Sequence, residues 1–140
     1  FALLSMLVFV VLFRTDAQQY LDEHIRWLGG GRAEEAVGLT LNELRSEGWK
    51  VVHDIEQEFE GNIDHVVTGP AGVFLIETKE KRYLAQHLAK TKRQAARLHD
   101  QLGVWVTPVI CIHRREGTPF KHKGVWIVPR VELLGWLRKA

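Results

Sequence analysis

Cysteine is almost missing from this chain of 140 residues: Cys111 stands alone, which excludes a disulfide framework and a multi-cysteine zinc site. None of the seven histidines forms the helical His-x-x-x-His pair of a zincin, and neither a Gly-rich phosphate loop nor a serine-nucleophile motif is present. Internal repeats are absent, and the only low-complexity stretch is Gly29-Gly30-Gly31. With 46% apolar and 26% charged residues, the chain is no disordered tail, collagen-like repeat or coiled-coil rod. It is long enough for one domain with a real core.

Apolar runs are also short. The longest, residues 1–13 (FALLSMLVFVVLF), holds one polar residue, Ser5, and no charge. Thirteen residues rise about 20 Å as a helix, less than the roughly 30 Å of a hydrocarbon core. The run lacks the polar face of a packed core helix, and Arg14-Thr15-Asp16 replaces the small residues of a signal-peptide cleavage site. Because the chain opens on Phe1 rather than Met, the reading is residues 1–14 as the end of a transmembrane helix, with the remainder on the cytoplasmic side. A targeting segment and a core helix are the alternatives. Residues 15–30 read as a juxtamembrane helix and Gly linker, and residues 31–140 as the compact domain.

A net charge of +2 conceals an asymmetry. Residues 1–60 carry 5 Lys and Arg against 11 Asp and Glu, whereas residues 61–140 carry 14 against 6. The basic half predicts a surface for a polyanion.

Hydrophobic spacing predicts a helix over 32–47 (Val37, Leu41, Leu44) stopped by Gly48, then strands over 49–55, 62–68 and 73–78. Gly69-Pro70-Ala71-Gly72 has the content of a tight turn, so the last two strands read as a hairpin. A long helix over 82–102 places Leu84, Leu88, Ala95, Leu98 and Leu102 on its apolar side. Strand 104–112 looks buried on both faces, with Pro108 signalling a bulge or an edge. A strand over 124–128 and a helix over 131–137 close the chain. The order αβββαββα predicts an α/β (α+β) fold, a mixed central sheet flanked by helices and preceded by an apolar N-terminal helix.

The hairpin carries the chemistry. If its turn is symmetric about Pro70–Ala71, Asp64 lies opposite Glu77, with Cβ atoms about 5 Å apart, and Lys79 shares that face. Two carboxylates among Ile63, Val66, Leu75 and Ile76 repel, so at least one resists ionising. A divalent cation such as Mg²⁺ or Mn²⁺ resolves the conflict. The alternative is a solvated, inert ion pair at a strand end, and a bulge would turn Asp64 to the other face. His65, by alternation, points away from Asp64 into the core, and Cys111 reads as a small buried hydrophobe.

Gly61-Asn62-Ile63-Asp64-His65-Val66-Val67, Gly69-Pro70-Ala71-Gly72-Val73-Phe74 and Ile76-Glu77-Thr78-Lys79 together resemble the nuclease-related domain (NERD) family of the PD-(D/E)xK nuclease superfamily. That resemblance spans roughly residues 31–128 and implies a restriction-endonuclease-like αβββαβ core. It implies that Asp64 and Glu77 hold a divalent metal with the backbone carbonyl of Thr78, and that Lys79 supports the attacking water. It further implies a Glu on the first helix, matched by Glu34 in Gly31-Arg32-Ala33-Glu34-Glu35-Ala36-Val37. Glu34 shares a helical face with Val37 and Leu41, whereas Glu35 points more outward. A first-turn acid complementing the helix dipole is the other reading. In Lys92-Arg93-Gln94-Ala95 the resemblance implies that Gln94 orients a phosphate or water. An exposed helical Gln is the commoner case, and Lys90 stands where the family has a preceding Gln.

Basic residues Lys81, Arg82, Lys90, Lys92, Arg93 and Arg97 follow the hairpin, with Arg114, Arg115, Lys121 and Lys123 as a second group. Such clusters suit phosphate backbones, although a solvated helix face is the commoner case. Aromatic residues are scarce among them, so the sequence supports no single-strand preference. The expectation is a membrane-anchored, metal-dependent nuclease acting on DNA or RNA. A non-catalytic nucleic-acid-binding or signalling module with the same fold is the alternative.

Overall fold

The computed structural model describes residues 31–58 and 61–140. The proposed anchor, juxtamembrane helix and most of the Gly linker lie outside these. Among the described residues no helix is long and apolar enough to cross a membrane.

Helix α1 (Arg32–Asn42) runs into a 3₁₀ turn over Glu43–Glu47. Gly48, at φ 87°, then reverses the chain in the left-handed region that a residue without Cβ tolerates. Strands β1 (Lys50–Ile55), β2 (Ile63–Gly69) and β3 (Gly72–Lys79) form an antiparallel meander. Helix α2 (Ala85–Leu102) crosses over to β4 (Val106–Ile112), which lies parallel to β3. A short β5 (Phe120–His122) pairs antiparallel with β6 (Val125–Pro129), itself parallel to β4, and α3 (Arg130–Lys139) closes the chain. The sheet order is β1-β2-β3-β4-β6-β5. The fold is thus α+β, a mixed six-stranded sheet with helices on it. β5 has no counterpart in the sequence reading, because three residues with one apolar side chain carry no period.

Both faces of the sheet are buried. On one, Val37, Leu41 and Leu44, with Leu133 and Leu137 of α3, pack on Val51, Val67, Phe74 and Ile76. Trp49, Phe74, Trp136 and Trp126 continue this layer as a chain of tilted and edge-on rings, centroids 5.4–6.3 Å apart. On the other face, Leu88, Ala95 and Leu98 of α2 cover Val66, Leu75, Val106, Ile110 and Ile127. Leu84 departs from the expected apolar stripe. It precedes the helix as its N-cap and is 55% exposed.

β4 is central rather than an edge, yet it accommodates Pro108. Its ladder with β6 begins only at Val109, so Pro108 has a side where no partner strand needs its missing N–H. Cys111 is buried in this strand, where loss of hydration pushes its thiol up to about 12 and keeps it neutral.

Candidate metal and phosphodiester site

The hairpin has the expected register: Gly69 pairs with Gly72, Val67 with Phe74 and His65 with Ile76. Gly69 is required there, because a Cβ on it would run into the Trp49 ring. The paired ladder stops at His65, one residue short of Asp64, and the reason lies in β1. Val52 and Ile55, three apart, pack in one apolar cluster, as do Val66 and Ile63 opposite them. Both strands therefore break alternation at the same place, and Asp54, between the two β1 residues, adopts φ 51°. Asn62 steadies this kink by donating from Nδ2 to Asp54 Oδ1 at 3.0 Å.

Asp64 consequently does not lie flat across from Glu77. Its Oδ2 accepts two hydrogen bonds of 2.9 Å, from the Thr78 N–H and from Thr78 Oγ1. The carboxyl of Glu77 still sits beside it, with Oε1 3.4 Å from the Asp64 amide nitrogen. The kink and the diagonal contact to Thr78 replace direct opposition without separating the two acids. Glu77 is 6% exposed. Burial foremost, and then the neighbouring Asp64, push its carboxyl up to about 8, which the ammonium of Lys90 partly opposes.

α2 supplies the other wall. His87, Lys90 and Gln94 follow one another at i, i+3 and i+7, on a single face. Gln94 is fully buried rather than an exposed helical glutamine. Its Nε2 donates to the Asn62 carbonyl at 3.4 Å, two residues before Asp64. Lys90 is half-buried, and its Nζ would stand 3.7 Å from a Cβ on Gly61. The ammonium thus lies over the start of β2, close enough to act on Glu77. His87 accepts the Leu84 N–H on Nδ1 at 2.9 Å, so the neutral ring carries its proton on Nε2. Burial, then the charges of Lys79 and Lys90, hold its pKa below the usual imidazole value. Lys79, half-buried at the end of β3, therefore shares this corner with Lys90.

The first helix is less decisive. Glu34 and Glu35 are both half-buried in the first turn of α1, so exposure does not separate them as the helical period predicts. Among the basic candidates, Lys81, Arg82, Lys92 and Arg93 are exposed, while Arg97 is half-buried. Half of the second basic group has local partners: Arg114 is 2.7 Å from Glu80, and Arg115 lies over the Phe120 ring at 5.0 Å. From the sequence alone Lys90 reads as a surface contact and His87 has no role. Their spacing from Gln94 is the signal that links both to it.

The donor set suits a hard divalent cation. Two adjoining carboxylates, one of them buried and reluctant to ionise alone, gain most from a cation that prefers oxygen ligands. Among the described residues no group of three or more His, Cys, Asp or Glu gathers around one point, so a cation here would draw further ligands from carbonyls and water.

A family model described as nuclease-related domain matches residues 29–113, more than half of the chain and all of α1 through β4. No curated protein and no solved structure matches.

Proposed function

From the premise that this chain belongs to the nuclease-related domain family, we propose that it hydrolyses phosphodiester bonds in nucleic acid with the help of a divalent cation. The observation that carries the reading is the buried Glu77 carboxyl beside Asp64, with the Lys90 ammonium close enough to act on it. Asp64 and Glu77 would hold Mg²⁺ or Mn²⁺, with the Thr78 carbonyl as a third oxygen. When bound, such an ion supplies a water of lowered pKa and charge stabilisation at the phosphate.

The protein groups divide the remaining work. Thr78, through its N–H and hydroxyl, fixes the Asp64 carboxylate so that its other oxygen faces the ligand. Lys79 orients the attacking water and places positive charge beside the scissile phosphate. Lys90 neutralises part of the carboxylate pair and favours the ionised form of Glu77 that binding a cation requires. Gln94, buried and held on the Asn62 carbonyl, steadies the start of β2 beside the carboxylates and, as the resemblance implies, would orient a phosphate or that water. Glu34 supports the site from α1. Exposed Lys81, Arg82, Lys92 and Arg93 hold the phosphate backbone without reading bases.

Purified protein is expected to cleave DNA or RNA with Mg²⁺ or Mn²⁺, and Glu77→Ala to reduce cleavage to background. Equal cleavage by both proteins would refute the assignment. Binding without turnover under either ion would instead establish the non-catalytic module. The apolar run 1–13 supports a membrane anchor, and the cytoplasmic side for the domain is proposed with it. Fractionation of cells, followed by protease treatment of sealed vesicles, tests both parts.

A further inference from the structure

A second feature of α2 lies away from the carboxylates. An open groove of about 340 Å³ runs between α2, the start of β4 and the β5–β6 turn. Its floor is apolar, formed by Ala95, Ala96, Val106 and Pro108. Trp105 stands at its rim 72% exposed, an unusual position for so large an apolar ring. The loop that carries it is held in place. Gly103 ends α2 at φ 74°, and His99 donates from Nδ1 to the Val104 carbonyl at 2.6 Å, which pins the intervening loop. The His99 and Trp105 rings lie 6.2 Å apart. Two lysines line the same groove, Lys92 from α2 and Lys121 from β5. The Lys92 stem reaches across to Gly124, where an added Cβ would meet Cε at 3.5 Å.

An apolar floor could also receive a protein segment, but an exposed indole sharing its groove with two lysines fits a different occupant. A nucleobase stacks on the indole through its π face while its phosphates meet the ammonium groups. We infer that the Trp105 groove is a subsite for an unpaired nucleotide of a nucleic-acid strand. Duplex bases are stacked on each other and leave no free face for Trp105, so the subsite selects single-stranded or frayed substrate. The inference rests on the nuclease reading and extends it to the form of the substrate. The geometry is compatible. Glu77 pairs with Ile110 of β4, and Val106 lies four residues earlier on that strand, about 13 Å away along it. Both places are on the α2 side of the sheet, so one strand can run from the groove to the carboxylates.

Binding, read apart from cleavage, tests this. Full-length protein in EDTA is titrated into a fluorescein-labelled oligodeoxythymidine of about 12 nucleotides, a length within single-strand site sizes, and into a duplex of equal length. Trp105→Ala is expected to weaken oligodeoxythymidine binding about 10-fold, with the duplex little changed and Trp105→Phe restoring most of the loss. Lys92→Ala with Lys121→Ala is expected to make the salt dependence of single-strand binding shallower by roughly 0.7 per charge removed. Unchanged melting temperatures show that the variants fold. Undiminished single-strand affinity in Trp105→Ala overturns the inference and leaves the groove to an apolar protein segment. Equal losses on single strand and duplex overturn it as well, since they mark a general phosphate surface. Cleavage is not read, so failure of the nuclease assignment at Glu77 would be a separate result.

Discussion

Glu77 concentrates the energetics of the site in one proton. An unfolded Glu ionises near 4.5, whereas the folded carboxyl keeps its proton up to about 8. Between those values the folded state alone holds the proton, so stability without a cation falls as pH rises through that window. Each unit of difference corresponds to about 1.4 kcal/mol, and the total is on the order of a few kcal/mol. Glu77→Gln is expected to flatten the dependence and to melt higher than the parent at pH 8 in EDTA, by scanning calorimetry. Mg²⁺ or Mn²⁺ should raise the melting temperature more at pH 8 than at pH 5, because binding must displace the proton. Lys90→Met keeps the aliphatic stem and removes the charge that favours ionised Glu77. It is expected to move the acid limb of the cleavage profile to higher pH. Asp64, Glu77 and Lys79 were legible from strand alternation and hairpin symmetry. Lys90 and His87 were not, because their place in this corner depends on how α2 is laid across β2 and β3.

At the scale of elements, two features set the site, the hairpin and α2. The hairpin turn carries a steric constraint that its Pro and Gly content already suggested. Gly69 leaves room for the Trp49 indole, which in turn packs on Phe74. Gly69→Ala should therefore destabilise the fold by about 1–3 kcal/mol, as overpacking does, measured by urea denaturation. Cleavage at temperatures well below melting should persist, because the carboxylates lie at the far end of the strands. The kink at Asp54 was not legible. A left-handed Asp inside a strand shows only when its neighbours Val52 and Ile55 are seen in one cluster. α2 serves two surfaces at once, with His87, Lys90 and Gln94 toward the carboxylates and Lys92, Ala96 and His99 along the groove. A helix buries one stripe and presents the flanking ones, so a single element can position both.

For the whole molecule, charge and layer order decide access. The exposed cations of the 80s loop and α2 lie on the side of the sheet that holds Glu77, so nucleic acid is expected to approach over α2. Reversing Lys81, Arg82 and Arg93 to Glu should weaken binding to DNA of any sequence and reduce its salt dependence, with little change in melting temperature. A filter-binding salt series measures the slope. The buried pair of His53 and His65, with Nδ1 atoms 2.6 Å apart, ties β1 to β2 just before the kink. His53 Nε2 donates onward to Asn42 Oδ1 at 2.8 Å, linking the sheet to α1. Sequence alone determined the order of the main elements, the hairpin register and the acidic pair, because apolar period and turn chemistry are local properties that tertiary packing had no cause to override. The tertiary structure decided the rest. It turned Asp64 onto Thr78, buried Gln94, brought Lys90 to Glu77 and set Trp105 in one groove with lysines 13 residues before it and 16 after it in the chain. The Asp64–Thr78 contact is made within the hairpin, whereas the others join residues far apart in sequence that the crossover of α2 between two parallel strands brings within reach.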